Sequence, residues 1–137
     1  MKRKKILIVS AKYYSEISMT MENNAIDCLK KWKGLSVDDP RNTLKNVPGI
    51  FEIPVVIAKN IKKYDAFIVL GCVIKGETPH FEFISSAVID AIMKLSVEYK
   101  KPIGNGIITC LNRNQGEVRS KTKGQEAAKA VISVLSQ

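Results

Sequence analysis

The chain has 137 residues, 45% hydrophobic and 26% charged, which predicts one soluble domain, residues 1–137, with a hydrophobic core of its own. Apolar runs stay below the ~18 residues of a membrane span. The run after the basic residues 1–5 is too short for a signal peptide, so we predict a cytoplasmic protein with no membrane partner. The net charge of +9 suggests a nucleic-acid partner, but the lysines mark the ends of different elements and few aromatic residues lie among them. We therefore expect a solvated basic surface and no nucleic-acid partner, with phosphate-bearing small molecules as an alternative use.

The first half of the chain predicts a strand, a helix, a second strand and a second helix. Residues 6–11 form a continuous apolar run, typical of a strand buried on both faces. Residues 15–31 are predicted to be helical because apolar side chains recur every four residues, at Ile17, Met21, Ala25 and Leu29. Residues 35–45 carry no clear pattern, and the second strand is predicted to end at Val47. A helix over residues 52–62 has Pro54 in its first turn, where proline is tolerated.

The second half continues the alternation. The predicted elements are a strand over 65–72, a helix over 81–99, a strand over 103–109 and two short helices over 114–119 and 123–135. The predicted buried side chains of these helices are Ile84, Val88, Ala91, Ile92 and Leu95, followed by Ala127, Ala130, Val131 and Val134. Strands that alternate with helices predict a parallel sheet with helices on both faces. Functional residues are then expected in the loops after the strands, at residues 11–16, 48–52, 72–80 and 109–113.

Three cysteines are present: Cys28, Cys72 and Cys110. An odd number without a Cys-x-x-Cys pair predicts neither disulfides nor a structural zinc site. One histidine and no carboxylate cluster predict that the protein holds no metal. We expect Cys28 to be a core residue, and Cys72 and Cys110 to lie near strand ends, where a nucleophilic role is a minor alternative.

The segment 71–81, GCVIKGETPHF, joins a predicted buried strand to the longest predicted helix. Thr78 can cap that helix and Pro79 fits its first position. Free N–H groups at the helix start would attract an anion such as phosphate. His80 would lie beside this anion, and an imidazole moves protons readily near neutral pH. The alternative is a capped helix with an exposed histidine, and the chemistry alone leaves both open.

Three segments resemble the 6,7-dimethyl-8-ribityllumazine synthase family in the family's order: VPGIFEIP at 47–54, GCVIKGETPHF at 71–81 and KGQEAA at 123–128. The resemblance implies a flavodoxin-like three-layer sandwich around a four-stranded parallel sheet. It also implies a transferase that needs no cofactor and catalyses the penultimate step of riboflavin biosynthesis. In that step 5-amino-6-(D-ribitylamino)uracil condenses with 3,4-dihydroxy-2-butanone 4-phosphate. The family assembles as homopentamers, some packed into icosahedral shells of sixty subunits, with active sites between subunits.

The resemblance also implies roles for individual residues. His80 matches the proton-transfer histidine, and the phosphate-binding positions match Glu77, Thr78, Arg119 and Lys123. We expect the backbone N–H of Glu77 to bind phosphate while its carboxylate points away. Arg119 matches an arginine that reaches the phosphate from the adjacent subunit, and a guanidinium suits that role because it offers two parallel donors. Lys123 is less secure, because residues 120–122 make a shorter loop than usual, and a solvent-exposed lysine is the alternative.

The positions that bind the pyrimidine and its ribityl chain match Tyr13, Ile50, Phe51, Glu52, Cys72, Val73, Ile74 and Asn105. Tyr13 replaces a stacked phenylalanine and keeps the aromatic ring. Glu52 has an alternative role as a carboxylate favoured at a helix start. Tyr14 stands in place of an asparagine, and Asn105 in place of a phenylalanine contributed by the adjacent subunit.

Three other functions remain open. A flavin mononucleotide carrier would need a small, glycine-rich loop after the first strand, whereas residues 11–16 contain two tyrosines and no glycine. A basic nucleic-acid-binding module gives no reason for the loop that carries His80. An inactive structural shell that keeps the fold is consistent with Asn105.

Overall fold

The computed structural model describes residues 3–34, 43–77 and 79–137. Strands and helices alternate along the chain, as the sequence predicts. The elements in order are β1 (Ile6–Ala11), α1 (Ser15–Lys30), β2 (Leu44–Val47), a 3-10 turn (Ile50–Glu52), α2 (Ile53–Asn60), β3 (Ala66–Ile74), α3 (Phe81–Tyr99), β4 (Ile103–Cys110) and α4 (Arg113–Leu135). Residues 35–42, where the sequence carries no clear pattern, lie outside the described residues.

The four strands form one parallel sheet in the order β2-β1-β3-β4. Because every strand runs the same way, all their carboxyl ends meet at one edge, and the loops predicted to carry function follow from that edge. The sheet and its two helical layers confirm the predicted α/β fold with helices on both faces.

Alternate residues of the central strands bury opposite faces of the sheet. Ile6 and Ile8 of β1 pack in a cluster with α1 and α4, whereas Leu7 and Val9 pack with α2 and α3. This is the two-residue period of a strand covered on both sides, which explains why residues 6–11 are apolar except for Ser10. Fully burying an aliphatic side chain of this size contributes roughly 1.5–3 kcal/mol, so both faces stabilise the fold.

The last part of the chain is one continuous helix, and the prediction of two short helices was wrong. Residues 120–122 contain neither proline nor glycine, and the Ser120 hydroxyl donates to the carbonyl of Glu117 within the helix, at 2.7 Å. Asn24 of α1 donates its side-chain amide to the carbonyls of Ser120 and Lys121 at 3.3 and 2.8 Å. A Cβ at Gly124 would lie 2.2 Å from the carbonyl oxygen of Met21, so this glycine permits close packing of α1 on α4 rather than starting a helix.

Two residues expected to point inward on α4 are exposed. Ala127 and Val131 are buried as predicted, but Ala130 and Val134 face a groove between the end of α3 and the start of β4. The prediction that Ala130 and Val134 are core residues was wrong because β4 is the edge strand of the sheet. This side of α4 extends past the sheet and has no further strand to cover. On α3, only Val88 and Ile92 of the predicted stripe are buried, and the others, Ile84, Ala91 and Leu95, are half-buried.

Among the described residues, no helix combines the length and the apolar character needed to cross a lipid bilayer.

Candidate active site

Loops from three strands meet around a cavity of about 110 Å³ at the carboxyl edge of the sheet. Its lining residues are Ala11, Tyr13, Gly49, Ile50, Phe51, Cys72, Val73 and Ile84. The structure therefore brings together five of the residues that the sequence assigns to pyrimidine and ribityl binding: Tyr13, Ile50, Phe51, Cys72 and Val73.

The cavity depends on a glycine that allows the 3-10 turn to approach β3. A Cβ at Gly71 would lie 2.6 Å from Cγ2 of Ile50 and 3.2 Å from Cβ of Ala11, so a side chain there would push the turn away. Tyr13 and Phe51 stand at the rim with 62% and 65% of their surface exposed. Two exposed aromatic rings beside an apolar cavity are suited to a flat, ring-shaped ligand.

Glu52 and Ile74 lie next to the cavity without lining it. Oε1 of Glu52 accepts a hydrogen bond from the backbone N–H of Gly49 at 3.0 Å, which fixes the 3-10 turn. The Glu52 carboxylate therefore has a structural role at the start of a helical turn, which was the alternative to ribityl binding in the sequence analysis. Its second oxygen, Oε2, is left for another partner. The Ile74 side chain is buried at the end of β3.

The loop between β3 and α3 differs from its predicted capping. Helix α3 begins at Phe81 and its N-cap residue is His80, so the prediction that Thr78 caps the helix and Pro79 opens it was wrong. His80 adopts the left-handed conformation, with φ of 63°, which cannot continue a helix and therefore delays the helix start to the next residue. Thr78 itself lies outside the described residues.

The His80 side chain is exposed, and the ring is not in the hydrophobic interior. It lines an open cavity of about 330 Å³ with Lys75, Phe81, Glu82 and Phe83, next to the 110 Å³ cavity rather than inside it. The first turn of α3 contributes to both cavities: His80 lines the larger one, and Ile84, whose backbone N–H donates to the carbonyl of His80 at 2.9 Å, lines the smaller one.

The Glu77 carboxylate is hydrogen-bonded to Tyr14, which lies in the loop after the neighbouring strand β1. The Tyr14 hydroxyl donates to Oε2 of Glu77 at 2.9 Å, and the Glu77 backbone N–H donates to the carbonyl of Ile74 at 3.3 Å. The carboxylate thus has a protein partner, while the N–H expected to bind phosphate is used within the turn. Tyr14 is 7% exposed, and burial followed by the neighbouring Glu77 raises the pKa of its phenol well above the ordinary value. Sequence reasoning missed this contact, because the two residues are far apart in the chain and only Tyr14's departure from the family pattern marks it.

Replacing Tyr14 with phenylalanine is expected to lower the free energy of unfolding by about 1–3 kcal/mol, because a hydrogen bond to a carboxylate is lost. The folded-state pKa is raised, so the unfolded chain releases the phenol proton first, and stability that is full below the ordinary value of 10.0 declines as the pH rises above it. Urea denaturation between about pH 8 and about pH 11 measures both effects.

The matched control for this variant is Tyr99→Phe, which removes a hydroxyl from a half-exposed tyrosine and should change stability by less than about 0.5 kcal/mol. If Tyr14→Phe were as stable as the wild type and kept the same decline at high pH, the hydrogen bond to Glu77 would carry no energetic weight.

Helix α4 presents cations at the same edge. Nη1 of Arg119 donates to the carbonyl of Thr109 at the end of β4, at 2.9 Å, and leaves other guanidinium donors free for an anion. Lys123 lies one helical turn further on, so the unbroken helix places both residues on one face. Arg113, which the sequence did not single out, has its guanidinium 5.7 Å from the centre of the Tyr14 ring and forms an ion pair with Glu117 at 3.2 Å.

Cys72 and Cys110 lie side by side beneath this edge, with their Sγ atoms 3.9 Å apart. Both are buried, and burial, followed by the neighbouring Cys110, raises the pKa of the Cys72 thiol well above its usual range, although Arg113 and Arg119 act in the opposite direction. A neutral, buried thiol is a poor nucleophile, so the geometry favours a packing role for Cys72. Cys28 is half-buried against the core cluster shared by α1 and α4. Within residues 3–34, 43–77 and 79–137, no three His, Cys, Asp or Glu side chains are grouped to hold a metal ion.

Asn105 lies away from the cavity within one chain. It pairs in register with Val69, three residues before the Cys72–Ile108 pair, which places it roughly 10 Å along β4 from the level of Cys72, a residue that lines the cavity. Its side chain is exposed, and Oδ1 accepts from the backbone N–H of Ile107 at 3.0 Å.

A buried carboxylate supports the loop that carries Tyr13. Glu22 of α1 accepts from the Ser10 hydroxyl at 2.5 Å and forms an ion pair with Lys12, while the Ser18 hydroxyl donates to the carbonyl of Ala11. These contacts fix the end of β1 to α1 beneath the aromatic rim. The sequence analysis missed them because Glu22 reads as one more charged residue on an amphipathic helix.

An open parallel α/β sheet with a ligand cavity at the carboxyl ends of its strands defines the class of this protein as a flavodoxin-like three-layer fold with a small-molecule site. The family model described as 6,7-dimethyl-8-ribityllumazine synthase matches residues 3–137, and the chain belongs to this family.

Curated relatives carry the same description. The chain is 40% identical over 139 residues to 6,7-dimethyl-8-ribityllumazine synthase of Bartonella bacilliformis, which covers 96% of this chain and 88% of the relative. It is 40% identical over 142 residues to 6,7-dimethyl-8-ribityllumazine synthase 1 of Rhodopseudomonas palustris, over 96% of this chain and 83% of that one. The corresponding enzyme of Corynebacterium urealyticum is 36% identical over 134 residues, 93% of this chain and 80% of the relative.

Proposed function

We propose that this chain is a lumazine synthase, which condenses 5-amino-6-(D-ribitylamino)uracil with 3,4-dihydroxy-2-butanone 4-phosphate to give 6,7-dimethyl-8-ribityllumazine, phosphate and water, the penultimate step of riboflavin biosynthesis. The observation that carries the proposal is the convergence of two long family motifs on one cavity. Ile50 and Phe51 of the first motif and Cys72 and Val73 of the second line it together, and Tyr13 stands at its rim.

The residues divide the work of this reaction in a chemically reasonable way. The ring amine attacks the ketone and expels one water to form an imine, phosphate leaves, and the second amine closes the ring with loss of a second water. Each step moves a proton, and the exposed imidazole of His80 next to the cavity is the group assigned to it. Holding both substrates in reacting geometry can lower the barrier by roughly 7–11 kcal/mol. Proton transfer by a positioned side chain raises the rate by ~10²–10⁴-fold, which corresponds to a smaller reduction of the barrier.

The phosphate is assigned to the face of α4 that carries Arg119 and Lys123, and Glu77 and Thr78 are kept in the proposal as the positions that match the family's phosphate-binding motif. Arg119 retains guanidinium donors beyond the one used on Thr109, so it can bind phosphate through parallel hydrogen bonds. The carboxylate of Glu77 would repel phosphate. The Tyr14 hydroxyl donates a hydrogen bond to this carboxylate and so fixes the position of its negative charge.

Mixing both substrates with the purified protein tests the function directly. The expected result is formation of the lumazine, followed by its absorbance and green fluorescence, at a rate above the uncatalysed reaction. The matched control is the Arg119→Ala variant at the same concentration, which keeps the fold and should form product more slowly at low butanone phosphate. A wild-type rate equal to the background would remove the assignment and leave the inactive shell as the better interpretation.

We also propose that the enzyme is a homo-oligomer, a pentamer or a larger shell of the family type. Support comes from apolar side chains that a single chain leaves exposed on α3, namely Phe83, Met93 and Val97, and on α4, Val134. A groove of about 380 Å³ lies between these helices and the start of β4. Asn105 is exposed on β4, consistent with a position that faces a neighbouring subunit. The cytoplasmic location stays a prediction.

Gel filtration with light scattering measures the assembly. We expect a mass of five chains or a larger multiple of five, because the exposed apolar side chains of α3 need a partner surface. Val97→Asp, on the groove between α3 and α4, should shift the protein toward smaller species, whereas Lys129→Asp on the exposed part of α4 should not. A wild-type monomer at micromolar concentration would contradict the proposed assembly.

A further inference from the structure

Half of the cations in the chain lie at the amino-terminal edge of the sheet, opposite the candidate active site. We call this surface the basic face. Its members are Arg3, Lys4, Lys5, Lys30, Lys31, Lys33, Lys59, Lys62, Lys63, Lys100 and Lys101, which are eleven of the 22 lysines and arginines. Nine of them are exposed, and Lys4 and Lys101 are half-buried.

These residues are distant in sequence but adjacent in space because the sheet is parallel. They precede β1, β3 and β4 or end α1, α2 and α3, and all of those positions lie at one edge. Backbone contacts join the segments directly. The N–H of Lys4 donates to the carbonyl of Gly34 at 2.6 Å, and that of Asp65 to the carbonyl of Lys5 at 2.8 Å. Nζ of Lys101 reaches the carbonyl of Ile61 at 2.5 Å. The charges that the sequence analysis interpreted as scattered are therefore one surface.

The rest of the chain is nearly neutral. Three carboxylates accompany the eleven cations of the basic face, those of Asp27, Asp65 and Glu98, and Oδ2 of Asp65 already accepts from the N–H of Lys5 at 2.7 Å. Lys2, Asp38, Asp39 and Arg41 lie outside the described residues, and the described remainder has nine lysines and arginines against eight carboxylates. Almost all of the net charge of +9 therefore belongs to one side of the molecule.

The active site has no use for this charge. The nine residues of β3 separate the two edges by roughly 25 Å, well beyond the screening length of ~8 Å at physiological salt. A second copy of the chain would bring like charges together there, so the basic face is unsuited to self-association.

We propose that the basic face binds the phosphate backbone of a nucleic-acid duplex without sequence specificity. Ten of its eleven cations are lysines, which act as point charges on flexible stems and match a regular row of phosphates rather than a single bidentate group. Three aromatic rings lie near these cations in the described part of the chain: Trp32 between Lys31 and Lys33, Tyr64, and Tyr99 beside Lys100. Trp32 and Tyr64 are half-buried, Tyr64 packs on Phe67 with Nζ of Lys5 5.3 Å from its centre, and Tyr99 is 41% exposed. One partly exposed ring does not make a stacking platform for successive bases, so the described surface favours a duplex over splayed single-stranded bases.

The test is fluorescence anisotropy with a labelled DNA duplex of about 20 base pairs, titrated with wild-type protein between about 50 and about 200 mM salt. If six or more phosphates are contacted, the affinity should fall by about 10³-fold or more across that range. The basic-face variant carries four reversals, Lys30→Glu, Lys31→Glu, Lys62→Glu and Lys63→Glu. At fixed salt it should bind at least about 100-fold more weakly.

The matched control carries the same change in net charge at exposed lysines elsewhere: Lys45→Glu, Lys94→Glu, Lys121→Glu and Lys129→Glu. It should retain affinity within about threefold of the wild type at physiological salt, where distant charges are screened. Both variants should keep the wild-type circular dichroism spectrum, which shows that they are folded. The anisotropy measurement uses no substrate, so its outcome is independent of the proposed enzyme activity. Equal losses in the two variants, undetectable duplex binding at low salt, or binding to phosphatidylserine vesicles in preference to the duplex would each overturn the proposal.

Discussion

Arg119→Ala is expected to raise KM for the four-carbon phosphate by about 10–100-fold and to change KM for the pyrimidine little. The loss corresponds to one charge-assisted hydrogen bond, which contributes about 1.5–3 kcal/mol. The only described side-chain contact of Arg119 is to the Thr109 carbonyl, which frees the rest of its fork for substrate. Initial rates with one substrate varied and the other saturating measure the two constants separately.

Two variants on the same helix sharpen this experiment. Arg119→Lys should recover only part of the affinity, since an ammonium cannot form the parallel pair of hydrogen bonds. Lys121→Ala removes an exposed cation two residues further along, roughly on the opposite side of α4, and should leave both constants unchanged. Equal increases in the two KM values for Arg119→Ala would argue for disturbed structure at the end of β4 rather than a phosphate contact.

His80→Gly is expected to lower kcat by about 10²–10⁴-fold without abolishing product formation, because proton transfer is lost while substrate positioning remains. Glycine is the informative replacement because His80 has a φ of 63°, which glycine adopts without strain and alanine does not. Free imidazole added to this variant should restore part of the rate, since the open cavity beside residue 80 can admit it.

The control for this experiment separates chemistry from backbone strain. His80→Asn also tolerates the left-handed conformation but supplies no proton-transfer group, so it should be as slow as His80→Gly and should not respond to imidazole. Thermal unfolding of both variants should match the wild type to within a few degrees. A kcat within about threefold of the wild type in both variants would remove His80 from the chemistry and leave it as a helix-start residue.

The strands and helices were predictable where one local pattern dominates. The mostly apolar residues 6–11 are typical of a strand covered on both faces, and the four-residue spacing of Ile17, Met21, Ala25 and Leu29 is typical of one buried helical stripe; the structure has both. Helix α4 was split in the prediction because the polar residues 120–122 were interpreted as a loop between two helices. Its continuity comes from packing against α1, and a propensity argument has no access to that contact.

The candidate site was predictable only as far as its motifs are contiguous. Residues 47–54 and 71–81 each indicate their own loop, and the parallel topology then brings those loops to one cavity. The Tyr14–Glu77 hydrogen bond and the left-handed His80 depend on how two loops meet across the sheet edge, which no spacing along the chain encodes. Asn105 needs a neighbouring subunit for its predicted role, so one chain cannot reveal it.

The close approach at Gly124 connects the packing of α4 to the position of the two cations proposed to bind phosphate. The glycine meets the backbone of α1 on one side of α4, while Arg119 and Lys123 sit on the same rigid rod within a turn and a half. A methyl group at position 124 would collide with the Met21 carbonyl and tilt the rod as a unit. Substitutions that change how closely α1 and α4 pack can therefore alter the proposed phosphate binding although the cationic residues stay the same.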